Sequence, residues 1–227
     1  DFSSQKKEKI SNSQTINNQL IDYLRKYRCL LIFDNLQEIF ASGKLAGTYL
    51  QEHEKYGKCF QQIATLSHQS CLLLLSQEQP KIISSNNHCQ TLKLDGLGKS
   101  AAVILKSRNL TDKDKWLELI NLYSGNPLWL NLIADAVEYL CDRNVTQFLS
   151  CPSIYLGDLE PILEKSFQGL SELEKQVILW IASQETAIDI STTPPDIPLL
   201  QSDLWKAIQS LKRRCLVTKK DNLLSLL

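Results

Sequence analysis

Methionine is missing from all 227 residues, position 1 included. A chain that begins at Asp1 for a reason other than translation initiation is expected to be a fragment of something longer. Net charge is missing as well: 25 Lys+Arg balance 25 Asp+Glu, so no global field points to nucleic acid or to an anionic membrane. No apolar run approaches the roughly 18 residues of a membrane span, and no secretory signal is visible. Histidine is scarce. The nearest thing to metal-ligand spacing is His68 with Cys71, and no second pair completes a zinc site. The seven cysteines are an odd number, and Cys29, Cys71, Cys141 and Cys215 sit in apolar runs. They read as small hydrophobes in a reducing compartment, not as a disulfide framework, which makes a cytoplasmic location the expectation.

What is there is ordinary globular composition, 43% apolar and 22% charged, on a chain long enough for two compact domains. The stretch that organises it is Arg28 to Phe40, RCLLIFDNLQEIF. Cys29 to Phe33 is an unbroken apolar run of strand length, the pattern of a parallel sheet covered on both faces. The run ends on Asp34 and Asn35. In open α/β sheets ligands sit beyond the carboxyl ends of the strands, so an acid there faces the crevice where chemistry happens. It is a natural partner for Mg²⁺ on a bound nucleotide, although an Asp that merely ends a strand would look the same.

Residues 1–18 are polar and without period, a tail or a severed connection. Leu20, Ile21, Leu24 and Tyr27 mark a helical face, and Tyr49, His53, Tyr56, Phe60, Ile63 and Ala64 mark another, with His53 as a packed core histidine. Cys71 to Leu75 is a second apolar strand, ending on Ser76, Gln77 and Glu78; Ser84 to His88 is loop, and Thr91 to Leu94 is a short edge strand. From Gly96 helices take over. The expected division is therefore an α/β part over 19–95, a helical part over 96–150 and a last part over 151–227. The last part holds helices on Leu159–Phe167, Ser171–Ile181 (opened by a Ser171–Glu174 capping box) and Leu204–Leu211, with a loop at Thr192–Pro195. A hairpin from Cys215 to Leu227 follows. Three helices and a hairpin describe a winged helix.

Three motifs compete for function. Gly96-Leu97-Gly98-Lys99-Ser100 suggests a phosphate loop, but the first glycine of that pattern would fall at Lys93, and a tight turn into a helix is the better reading. Lys212, Arg213, Arg214, Lys219 and Lys220 stand where a DNA-binding winged helix reaches phosphate; cations also favour a helix C-terminus for its own sake. Gly125-Asn126-Pro127-Leu128 is a helix start with Pro at its first residue.

Taken in order, the sequence resembles the second half of an NB-ARC-type module of the STAND class of signalling nucleotide-triphosphatases. RCLLIFDN is similar to a Walker B strand, HQSCLLLLSQEQP to a sensor strand, LDGL and YSGNPLWLNLIA to a helical domain with its GxP motif, and LSELEKQVILWIA through LKRRCLVTKKDNLLSLL to a winged-helix domain. The resemblance implies a fold of α/β plus all-α parts and a regulatory ADP/ATP switch. Asp34 would hold Mg²⁺ through water, and Pro127 would pack near adenine. Asn35, Ser76 and Gln77 would line the nucleotide site.

The departures shape what is expected. No Walker A loop lies upstream of Asp34, Gln77 stands where the family has arginine, and Asn35 leaves no second acid. ADP or ATP with Mg²⁺ is expected for the intact protein, no nucleotide for this chain alone, and no catalytic residue is assigned. With the Walker A strand placed between the other two, Cys29–Phe33 and Cys71–Leu75 are expected each to lack a neighbour. Flanking domains, repeats among them, and a homo-oligomer on activation are the implied partners; membrane and DNA are not. The alternative from another class is a winged-helix DNA-binding regulator.

Overall fold

The computed structural model describes residues 13–81, 88–184, 186, 188–189, 197–220 and 223–226. The expected tail up to residue 12, the 84–87 part of the expected loop, the Thr192–Pro195 loop and the Asp221–Asn222 hairpin tip lie outside these residues. In chain order come α1 (Ser13–Lys26), β1 (Leu30–Phe33), α2 (Glu54–Thr65) and β2 (Cys71–Leu74). The helices α3 (Ala102–Ser107), α4 (Trp116–Leu122), α5 (Pro127–Leu140), α6 (Val145–Leu149) and α7 (Glu160–Gln168) follow. Last are α8 (Glu172–Ala182), β3 (Ile188–Asp189), α9 (Gln201–Arg213), β4 (Val217–Lys220) and β5 (Leu223–Leu226). They divide into two compact units, residues 1–91 with 169–227, and residues 92–168.

In the first unit β1 and β2 pair directly and in parallel, from Leu30 opposite Cys71 to Phe33 opposite Leu74. The ladder extends at both ends, with Cys71 N donating to Cys29 O and Leu75 N to Phe33 O. This corrects the expected strand order and counts against the arrangement from which a gap was expected: no strand stands between them. Two strands joined by a helical crossover satisfy each other's backbone at about 4.8 Å, which leaves no room for a third. The expected burial is corrected too. Leu31, Phe33, Leu72 and Leu74 face Ile21 and Leu24 of α1 and Phe60 and Ile63 of α2, while Leu30 and Ile32 are 62% and 56% exposed. Side chains alternate along a strand, and among the described residues both helices cover the same face. Phe60 anchors that face, its ring edge-on to Phe33 at 5.2 Å between centroids.

His53 is not in the core. It precedes α2, half-buried, 3.7 Å from the Glu52 carboxylate and against the Tyr56 ring. Thr91 to Leu94 is no strand, and Leu92 and Leu94 are exposed; an alternating pattern holds a strand only where a partner takes its hydrogen bonds.

The rest of the first unit packs α8 and α9 on a three-stranded antiparallel sheet ordered β3-β5-β4. Val177 and Ile181 of α8 meet Leu204, Ala207 and Leu211 of α9, with Val217 and Leu224 of the hairpin beneath. The capping box at the start of α8 is formed as the sequence indicated: Glu174 N donates to Ser171 Oγ, and Ser171 N to the Glu174 carboxylate.

The second unit is helical. Leu105 of α3, Leu119 and Ile120 of α4, Leu130, Ile133 and Val137 of α5, and Phe148 of α6 form its core. Leu159 and Leu163 join that core, so α7, expected as the first winged-helix helix, packs with the helical bundle.

Candidate functional site

At the carboxyl ends of the parallel pair the chain turns sharply. Asn35 sits at φ 54°, ψ 41°, the left-handed region that Asn tolerates better than most residues. Its N–H donates to Asp34 Oδ1 at 2.8 Å, so the acid braces its own turn. Asp34 is exposed, and its second carboxylate oxygen has no partner among the described residues. Gln37, which sequence reasoning passed over, ties the two strand ends together. Its Nε2 donates to Asn35 Oδ1 at 3.3 Å, and its Oε1 accepts from Gln77 N at 3.4 Å. Ser76 Oγ accepts from Glu78 N. The structure thus brings Asp34, Asn35, Ser76 and Gln77 to one end of one small sheet. Pro127 belongs to the other unit. There it is the exposed first residue of α5, behind Asn126, whose Oδ1 caps Leu128 N and Trp129 N at 3.0 and 3.2 Å.

These residues fit a nucleotide only in part. An exposed carboxylate with a spare oxygen suits a water-mediated Mg²⁺ contact. A phosphate cradle needs unpaired backbone N–H groups converging on one point. At the strand ends Asn35 N is taken by Asp34, Leu36 N by Leu75 O and Gln77 N by Gln37.

The Gly96–Ser100 stretch supplies no cradle either. Leu97 N donates to Gly125 O at 2.9 Å, and a Cβ on Gly96 would lie 2.0 Å from Ser124 O. The two glycine motifs that the sequence presents separately, GLGKS and GNP, are one backbone-to-backbone contact that seats the start of α5.

The zinc reading fails on geometry. Ser70 N donates to His68 Nδ1 at 3.1 Å, which leaves the proton on Nε2, and that nitrogen donates to Ile63 O at 2.8 Å. Both ring nitrogens are occupied, and no group of metal-ligating side chains occurs among the described residues.

The cationic patch is broken by an unforeseen cluster. Arg214 Nη1 lies 2.6 Å from Glu78 Oε2, and its Nε donates to Glu174 Oε1 at 2.9 Å. Glu174 is fully buried and Glu78 6% exposed. Burial pushes the Glu78 carboxyl above its ordinary range, against the pull of Arg214 and with help from the negative Glu174. Arg214 therefore faces inward. Beside α9 and the hairpin lies a cavity of about 590 Å³ with Trp205, Ile208, Lys212 and Lys219 on its walls; none of the strand-end residues lines it. The legible signals were Ser171–Glu174, read only as a cap, and Arg214, read only as a surface cation.

The fold is mixed α/β, a small parallel sheet with helices on one face, a helical unit, and a helix pair on an antiparallel sheet. No protein-family model matches the chain. It is 32% identical over 212 residues to the uncharacterized WD repeat-containing protein alr2800 of Nostoc sp. (strain PCC 7120), a match that covers 88% of this chain and 17% of that protein. The chain thus spans about a sixth of the length of this curated relative. A crystal structure of a Signal Transduction ATPase with Numerous Domains (STAND) protein with a tetratricopeptide repeat sensor, from Pyrococcus horikoshii, aligns at TM-score 0.44 and 16% identity, over 95% of this chain and 28% of that one. No helix among the described residues is long and apolar enough to cross a membrane.

Proposed function

We propose that the chain is part of a regulatory ADP/ATP-dependent switch module of the NB-ARC type within a longer signalling protein. The observation that carries this is the strand-end arrangement: an exposed Asp34 at the carboxyl end of a parallel strand, with Ser76 and Gln77 beside it on the neighbouring strand end. Its similarity to a WD repeat-containing protein fits flanking repeat domains. In the longer protein this reading requires, Asp34 contacts Mg²⁺ through water, Pro127 packs near adenine, and activation brings copies together. The division into an α/β part, a helical part and a last part of winged-helix type belongs to the same reading, with α7 counted in the helical part. Phosphate contacts come from outside this chain, which by itself neither holds nor hydrolyses nucleotide.

Isothermal calorimetry of the 227-residue chain with ADP, and with ATP plus Mg²⁺, tests the division of labour; no saturable heat is expected. Micromolar binding would overturn it. In the longer protein, Asp34→Ala is expected to weaken Mg·ATP retention more than ADP retention. Equal loss for both would remove Asp34 from the metal role. The DNA-binding alternative loses ground because Arg214 is spent on two buried carboxylates.

A further inference from the structure

Around Arg214 the hydrogen bonds are unequally shared. Glu174 is fixed from its own helix pair: Ser171 N and Oγ both donate to its Oε2 at 2.8 Å, and Ser210 Oγ of α9 donates to its Oε1 at 2.6 Å. Ser210 in turn accepts from Ala46 N at 2.7 Å, and Arg214 Nη2 donates to Lys44 O at 2.9 Å. Glu78 is held differently. It has the short ion pair to Arg214 and a backbone hydrogen bond from Gly47, while its buried Oε2 lacks a well-directed hydrogen bond. Glu174 is the anchored carboxylate, Arg214 the hub, and Glu78 the arm that can let go.

The arm is also the costly member. Two buried carboxylates share one guanidinium, and the attraction in such a pair repays desolvation only when hydrogen bonding is complete. Lys81 offsets part of the excess negative charge, with its Nζ donating to Thr48 Oγ1 at 2.6 Å. Releasing Glu78 to water recovers its solvation. Releasing Glu174 would strip four hydrogen-bond contacts from α8 and α9.

Glu78 follows directly on Ser76 and Gln77. One short segment carries the strand-end site at its start, the arm at Glu78, and a backbone dock from Gln79 N to Arg213 O at 2.9 Å at the end of α9. We infer that Glu78, Arg214 and Glu174 form a releasable latch, through which movement of the Ser76–Gln77 segment at the strand ends frees the α8–α9 pair and the loop at Lys44–Gly47. This deepens the proposed switch and rests on it only in taking Ser76–Gln77 as facing the ligand.

The test is amide hydrogen exchange on the 227-residue chain, with no nucleotide present, so its failure is distinguishable from a failure of the calorimetric experiment. Glu78→Gln removes the arm's charge at constant volume. Without that charge the arm stays docked, and exchange is expected to slow about tenfold or more at residues 44–47 and around 210–216, where protection reports local opening. Amides of α4 and α5 should stay at wild-type rates, and the unfolding midpoint should hold or rise. Glu78→Asp, which keeps the charge on a shorter arm, should quicken the same amides. Unchanged exchange in both variants would overturn the latch. So would a lowered midpoint with uniformly faster exchange across the first unit, because that outcome marks a purely structural ion pair.

Discussion

Gly47 and Lys81 lie backbone against backbone: a Cβ on Gly47 would stand 2.6 Å from the Lys81 amide nitrogen and 2.7 Å from Gln79 O. Gly47 is also at φ +70°, a region that costs other residues about 1–2 kcal/mol. Gly47→Ala should destabilise the first unit by roughly 2–4 kcal/mol in denaturant unfolding, strain and overlap together. Gly43, at φ +71° with nothing within 4 Å, isolates the strain. Gly43→Ala should cost only about 1–2 kcal/mol. Equal losses at both sites would show that the close approach carries no weight.

Acidification should act on the first unit through Glu78. Its folded carboxyl is raised above the ordinary 4.5, burial being the largest cause, with Arg214 and Lys81 opposing and Glu174 adding. The folded state therefore binds this proton more tightly than the unfolded chain. The stabilisation is fully present below 4.5 and is lost as pH rises through the folded value. Glu78→Gln abolishes that dependence. The stability difference between wild type and variant should shift in favour of the variant from pH 4.5 toward neutrality; a flat difference would contradict the sign.

Removing the hub should be far worse than removing the arm. Arg214→Met leaves Glu174 and Glu78 buried without their shared cation, and losing one partner of a buried pair costs about 3–5 kcal/mol. Urea titrations of Arg214→Met and Glu78→Gln compare the two directly. Similar losses would mean that the two carboxylates are held alike.

Asn126→Ala removes the acceptor for Leu128 N and Trp129 N at the start of α5. A cap of this kind is worth about 1 kcal/mol, and the loss should appear as faster exchange in the first turn of α5, where Pro127 sits. If the loss instead spreads evenly through the helical core, the cap is not what positions Pro127.

In a mobility-shift series across salt concentrations, the chain should bind duplex DNA weakly and with a shallow slope. Each cation that neutralises a phosphate contributes about one unit of slope, and Arg214 is withdrawn into the protein. Tight binding with a slope of several units would restore the DNA-binding alternative.

Much of the local structure is readable from residue order alone. The capping box at Ser171–Glu174, the Asn126–Pro127 helix start and the β4–β5 hairpin depend on contacts a few residues apart, so the signals and the structures they produce lie in the same window. The strand-end position of Asp34 is legible for the same reason. His53, the edge strand at Thr91–Leu94 and the packing of α7 were not, because each turns on which distant surface supplies a partner.

By itself the sequence determined the apolar runs, the caps and turns, the balance of charge and the placing of Asp34 and Asn35 after a strand. Only the tertiary structure decided that β1 and β2 pair without a strand between them, and that one face of that sheet is covered. It alone turned Arg214 from a surface cation into the hub of a buried cluster reaching from Lys44 to Glu174. The physical reason is separation. A backbone turn is governed by the torsions of adjacent residues, but the burial of a charge depends on desolvation summed over segments more than a hundred residues apart, which no local pattern encodes.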